Sequence, residues 1–120
     1  MLIDIENRES ITLNKLKELS KVYSSPAAIS FISYFEFVFG LRGRKNNSRA
    51  LAFLNNFSCL QTTKSTAHIL SDLKSKYSVK GAILPLADLL IAAQVIENNG
   101  ILLTRDKDFK VIEELKKIVY

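Results

Sequence analysis

The sequence has one cysteine, one histidine, no tryptophan and no hydrophobic run long enough to cross a membrane. A single cysteine forms no intrachain disulfide, so nothing here reads as a disulfide-stapled secreted scaffold. That residue, Cys59, stands in the apolar, strand-like run Asn-Phe-Ser-Cys-Leu. A buried, inert thiol is the expectation there, rather than a nucleophile. The lone His68 has no second histidine near it and reads as a surface or half-buried imidazole, not a ligand or a base. Without 18 consecutive apolar residues there is no transmembrane helix. The opening residues carry Asp4, Glu6, Arg8 and Glu9, which does not suit a signal peptide, so a cytoplasmic location is expected. There is no internal repeat and no low-complexity segment.

What is present is one domain's worth of ordinary chain. Its 120 residues suffice for a single domain spanning 1–120 with its own core. Seventeen Lys and Arg against twelve Asp and Glu leave a net charge of +5, which favours an anionic partner such as nucleic acid or an acidic protein segment. Helical and strand-like patterns alternate. Residues 11–23 have helical spacing, 27–31 read as a strand, and a helix is expected from about Tyr34 to Gly40. Arg42, Arg44, Lys45 and Arg49 make 41–49 the most basic stretch, a loop that leads into a helix over 49–55. A strand over 57–61 and a helix over 63–77 follow. Residues 86–97 are a further helix, with Pro85 at its start and Gly100 as a left-handed cap. A buried strand over 101–104, an amphipathic helix over 109–117 and a terminal edge strand over 118–120 complete the chain. Glu97, Glu113 and Glu114 read as solvated faces. The alternation predicts an α/β domain with a mostly parallel central sheet flanked by helices.

Three acids stand out. Asp88 is the only charge between Lys80 and Glu97, in the first turn of an otherwise apolar helix. A carboxylate there either meets the positive helix end or is paired with a cation. Asp106 lies just past the carboxyl end of a strand, where open α/β sheets bind ligands. Glu36 stands among Tyr34, Phe35, Phe37, Val38 and Phe39, either turned to solvent or held for a purpose. All three fall on or just after strand-to-helix junctions, which in a parallel sheet share one edge. Anions gathered there repel, and a hard divalent cation such as Mg²⁺ or Mn²⁺ relieves that repulsion. Such a site can activate water against a phosphodiester.

Leu-Ala-Asp-Leu-Leu-Ile-Ala-Ala at 86–93 and Gly-Ile-Leu-Leu-Thr-Arg-Asp-Lys-Asp-Phe at 100–109 resemble the C-terminal half of a PIN domain, most similar to VapC-type toxins. Ile-Ser-Phe-Ile-Ser-Tyr-Phe-Glu-Phe-Val-Phe-Gly at 29–40 resembles the family's second motif. The resemblance implies a three-layer fold and a metal-dependent endoribonuclease. Glu36, Asp88 and Asp106 would be the acids around Mg²⁺ or Mn²⁺, and Asp106 matches better than Asp108. Thr104 matches a hydroxyl position beside them. It further implies an RNA substrate, an antitoxin protein and a homodimer. Arg42, Arg44, Lys45 and Arg105 would attract the RNA backbone. The opening departs from the pattern. Met1-Leu2-Ile3-Asp4 matches a segment that follows the family's first strand, leaving that strand and its Asp without a counterpart. An alternative alignment makes Asp4 the first acid, but Ile5-Glu6-Asn7 then fits poorly. Loss of the family's central strand would unpair its two neighbours. The second reading is therefore a catalytically inactive PIN-like module that binds RNA or a protein partner.

Overall fold

The computed structural model describes residue 14, residues 17–19, residue 21 and residues 27–120. The expectations at Met1–Asp4 and at most of 11–23 lie outside the described residues; Asn14, Lys17, Glu18 and Leu19 are helical. The chain falls into two compact units, one of residues 1–29 and 33–59, the other of residues 30–32 and 60–120.

In the first unit, β1 (Ala28–Ile29) pairs in parallel with β2 (Ser58–Cys59), Ala28 opposite Ser58 and Ile29 opposite Cys59. Helices α1 (Phe31–Gly40) and α2 (Ser48–Leu54) lie between them in sequence. Helix α1 begins three residues earlier than the pattern suggested, so the strand is shorter. The core of this unit is Ile29, Phe37, Leu41, Ala50 and Leu54, with Tyr34, Phe53 and Phe57 against it. Phe53 bridges Phe37 and Phe57, at ring-centroid distances of 6.2 and 5.3 Å. The loop from α1 to α2 turns through positive φ at Gly43 and Asn46 and leaves Arg42, Arg44 and Lys45 exposed. The side chain of Cys59 is half-buried, and burial pushes its thiol pKa up, away from the reactive thiolate.

In the second unit, α3 (Lys64–Val79) and α4 (Leu86–Glu97) pack together, and β3 (Leu102–Thr104) pairs in parallel with β4 (Lys117–Val119). The core is Leu73, Tyr77, Leu89, Ala92, Ala93, Val95, Phe109, Ile112 and Leu115. Between the strands a 3₁₀ helix, Lys107–Val111, replaces the α-helix expected over 109–117. Phe109, Ile112 and Leu115 are all buried at intervals of three, a spacing that suits a 3₁₀ turn nearly as well as an α-helix, and β4 takes up the chain from Lys117. Lys117 then donates its Nζ to the carbonyls of Ile112 and Leu115.

The ends of α3 and α4 are specified locally and by one remote carboxylate. Thr63 caps α3, its hydroxyl accepting from Thr66 N–H while Thr66 Oγ1 accepts from Thr63 N–H. Helix α4 closes with Gly100 N–H donating to Val95 O and Asn99 N–H to Ile96 O, at 2.9 and 3.0 Å. That is a Schellman end, but the left-handed residue is Asn99 (φ 52°), not Gly100. Glu97 is half-buried, contrary to its reading as a solvated face, because both Thr63 and Thr66 donate their hydroxyls to its carboxylate. Glu114 likewise is held, accepting from Lys76 Nζ and from Tyr77 Oη, each at 2.8 Å. Glu113 does keep an exposed side chain, beside Lys76 and Lys80.

The Thr63 and Thr66 hydroxyls hold the Glu97 carboxyl below its ordinary pKa. A depressed folded-state pKa contributes stability that is present above the unfolded value, about 4.3, and is lost as pH falls through the folded value. Glu97→Gln is therefore expected to lower the melting temperature at pH 7 and to make little difference below about pH 3. Thermal melts of both proteins from pH 7 to pH 2.5 check this; a gap that persists undiminished into acid would contradict it.

Candidate metal centre

Three carboxylates of the second unit converge. Asp88, Asp106 and Asp108 each offer an oxygen within 4.8 Å of the others. Asp88 is half-buried on the first turn of α4, whose N-cap is Pro85. That end of a helix carries partial positive charge, so an anion is favoured there by about 0.3–1 kcal/mol.

Asp106 and Asp108 are delivered by the turn after β3. The Asp106 N–H donates to Thr104 Oγ1 at 3.0 Å, and the Asp108 N–H donates to Asp106 Oδ1 at 2.9 Å. Each side chain thus fixes the backbone two residues on, which winds 104–108 tightly and turns both acids the same way. One oxygen of Asp106 is engaged in this turn; its second remains for a cation. Both of these acids are exposed.

Two carboxylates at about 4 Å repel by about 1 kcal/mol in water and about 4 kcal/mol near a protein surface. Exposure of Asp106 and Asp108 keeps the cost toward the lower figure, so the group is tolerable as it stands. A divalent cation would turn that repulsion into attraction. The donor set fits one: three hard carboxylate oxygens, spaced within the about 4–5 Å that opposite ligands of a Mg²⁺- or Ca²⁺-sized ion span.

Of the acids singled out in the sequence, Asp88 and Asp106 are brought together. Glu36 is on α1 of the first unit with an exposed side chain. Thr104 is beside Asp106 as the hydroxyl that accepts its backbone N–H. Asp108, ranked below Asp106 from sequence, joins the group as well; the alternation Asp106-x-Asp108 after the strand was its signal. His68 is exposed.

One feature of α4 had no sequence motif at all. Gln94 is fully buried, at 0% exposure, six residues after Asp88. Its Oε1 accepts from the N–H of Phe31 at 3.1 Å, and its Nε2 donates to the carbonyl of Leu60 at 3.2 Å. Phe31 and Leu60 lie just after β1 and β2, where the chain enters the second unit.

The PIN domain family model matches residues 2–115, across both units. The toxin–antitoxin complex VapBC2 from Rickettsia felis, solved on a DNA fragment from its promoter, holds a chain 25% identical to this one. It superposes with a TM-score of 0.81 over 98% of this chain and 90% of that one. A toxin–antitoxin complex from Klebsiella pneumoniae is also 25% identical, with a TM-score of 0.70 over 95% of this chain and 88% of the other. VapBC-1 from nontypeable Haemophilus influenzae, at 20% identity and a TM-score of 0.81 over 98% and 90%, supports the fold. No curated protein sequence matches.

Proposed function

The chain belongs to the PIN domain family, and from that premise we propose that it is a divalent-metal-dependent endoribonuclease, the toxin half of a VapBC-type pair. The observation that carries the proposal is the convergence of Asp88, Asp106 and Asp108 where β3 ends and α4 begins. Bound there, Mg²⁺ or Mn²⁺ would polarise a phosphodiester oxygen and make a water more acidic. The work of the chain is to hold the ligands. Asp88 is held by its helix, and Asp106 and Asp108 by the bonded turn from Thr104, so little ordering remains to be done on binding. In this proposal Asp88 and Asp106 are the principal ligands, Asp108 is a third, and Glu36 is a further acid of the site on the strength of its match to the family's second motif.

The cationic side chains suit a phosphate backbone. Arg42, Arg44 and Lys45 are exposed on the α1–α2 loop, and Arg105 is exposed directly before Asp106. A protein partner suits another surface. Phe35 and Phe39 of α1 stack at 5.9 Å while 53% and 63% exposed, a costly display for apolar rings without a cover. The structural relatives are toxin–antitoxin complexes, so an antitoxin is the proposed cover. A homodimer and a cytoplasmic location are part of the same proposal. Among the described residues no helix is long and apolar enough to cross a membrane.

The test is incubation of the purified chain with a mixed RNA pool. Internal cleavage that needs Mg²⁺ or Mn²⁺, stops with EDTA and falls with Glu36→Gln is the expected result. Absence of cleavage at every divalent concentration, with RNA still bound, would favour the inactive binding module.

A further inference from the structure

We propose that Tyr120, with Arg105 lying on its ring, forms a nucleobase-stacking subsite next to the acidic group. The inference deepens the ribonuclease reading and rests on its RNA substrate, but it assigns a role that the acids do not supply.

Strands β3 and β4 are parallel, with Thr104 opposite Val119, so both end at the same edge. The Tyr120 N–H donates to Thr104 O at 3.1 Å, which extends the pairing one residue and brings Tyr120 beside Arg105. The guanidinium of Arg105 sits 5.9 Å from the centre of the Tyr120 ring. Arg105 is exposed and Tyr120 half-buried. The next residue after Arg105 is Asp106, whose own N–H is tied back to Thr104. The pair therefore stands within one residue of the proposed metal ligands, on a backbone fixed by a strand pairing and a bonded turn.

Charge and shape assign the ligand. The acids repel a polyanion unless a cation intervenes, so an incoming strand needs an adjacent positive foothold; Arg105 and Lys107 flank Asp106, and of the two Arg105 is the one set against an aromatic ring. An arginine against a tyrosine ring offers a flat cationic and aromatic surface, which takes an unstacked base on its face and a phosphate on its edge. A base has a face to offer only when it is outside a duplex. The subsite thus selects single-stranded RNA with a base next to the scissile phosphate, largely irrespective of which base it is.

The test uses the absence of tryptophan from the chain. Tyr120→Trp places a single tryptophan at the subsite, excited at wavelengths where the remaining tyrosines do not absorb. With Ca²⁺ in place of Mg²⁺ or Mn²⁺ to prevent turnover, a single-stranded oligonucleotide should quench it, and the same strand with abasic sugars should not. Binding should weaken about 5- to 150-fold in Tyr120→Leu and recover in Tyr120→Phe. Equal quenching by the normal and abasic strands, no quenching by either, or binding by Tyr120→Leu equal to that of the parent protein would overturn the proposal. These readouts are independent of cleavage. A chain that cleaves RNA without quenching defeats the subsite alone, and one that is quenched without cleaving defeats the nuclease reading alone.

Discussion

Asp88→Asn is expected to lower metal-dependent RNA cleavage by more than about a hundredfold while leaving the fold intact. Loss of a residue that merely supports a metal ligand costs about 10- to 100-fold, and Asp88 is placed to be a ligand itself. The replacement keeps shape and removes charge, so its effect on stability is the difference of two small terms. It forfeits the interaction of an anion with the start of α4, about 0.3–1 kcal/mol. It also relieves repulsion from Asp106 and Asp108, about 1 kcal/mol per pair at the exposed limit. The net change in unfolding free energy should be a gain of no more than about 1–2 kcal/mol. Asp72→Asn, an exposed acid on α3, serves as the control and should leave cleavage unchanged. Cleavage assays with urea melts of all three proteins separate a lost ligand from a lost fold. Comparable activity in Asp88→Asn would remove this residue from the site.

The second large effect is structural. Gln94→Leu should destabilise the protein by up to about 2–6 kcal/mol, because two part-buried backbone groups lose their partners at up to about 1–3 kcal/mol each. The leucine fills nearly the same space, so packing offers little compensation and little further loss. The Phe31 N–H is among the first donors of α1, which no carbonyl inside that helix can satisfy. Gln94→Glu should be at least as harmful: its carboxylate can still accept from Phe31 but confronts the Leu60 carbonyl with an acceptor, and carries a charge into a site with no exposure. Against a total stability of about 5–15 kcal/mol, either change leaves a marginal protein. Chemical denaturation, with unchanged slope and a lower midpoint, is the measurement. A midpoint shift worth less than about 0.5 kcal/mol would mean that the amide bonds are not structural.

These two residues mark how far the sequence can be read. Asp88 was legible because a single charge in an apolar helix needs a reason, and because Pro85 and the Asn98-Asn99-Gly100 stop framed its helix; α4 runs as read, from Leu86 to Glu97. Asp106 was legible from its place after a strand. The parallel strands and the helices around them follow from the same alternation, although the strands are shorter than their apolar runs. Gln94 was silent because it is uncharged and both its partners are remote, more than thirty positions away. Only the rule that buried polar groups are paired could have raised it, and burial within a helix is not visible along the chain. Glu97 misled for a related reason, since its hydroxyl partners come from the start of another helix. The stretch 109–117 misled through periodicity: apolar residues every three positions satisfy an α-helical template and a 3₁₀ turn nearly equally, and the strand that follows decided between them.

Manganese binding tests the central claim most directly. Followed by the loss of the free Mn²⁺ resonance, the parent chain should take up one ion per molecule, and Asp88→Asn and Asp106→Asn should each abolish that uptake at the same concentrations. Uptake by both variants equal to that of the parent would contradict the shared-ion site.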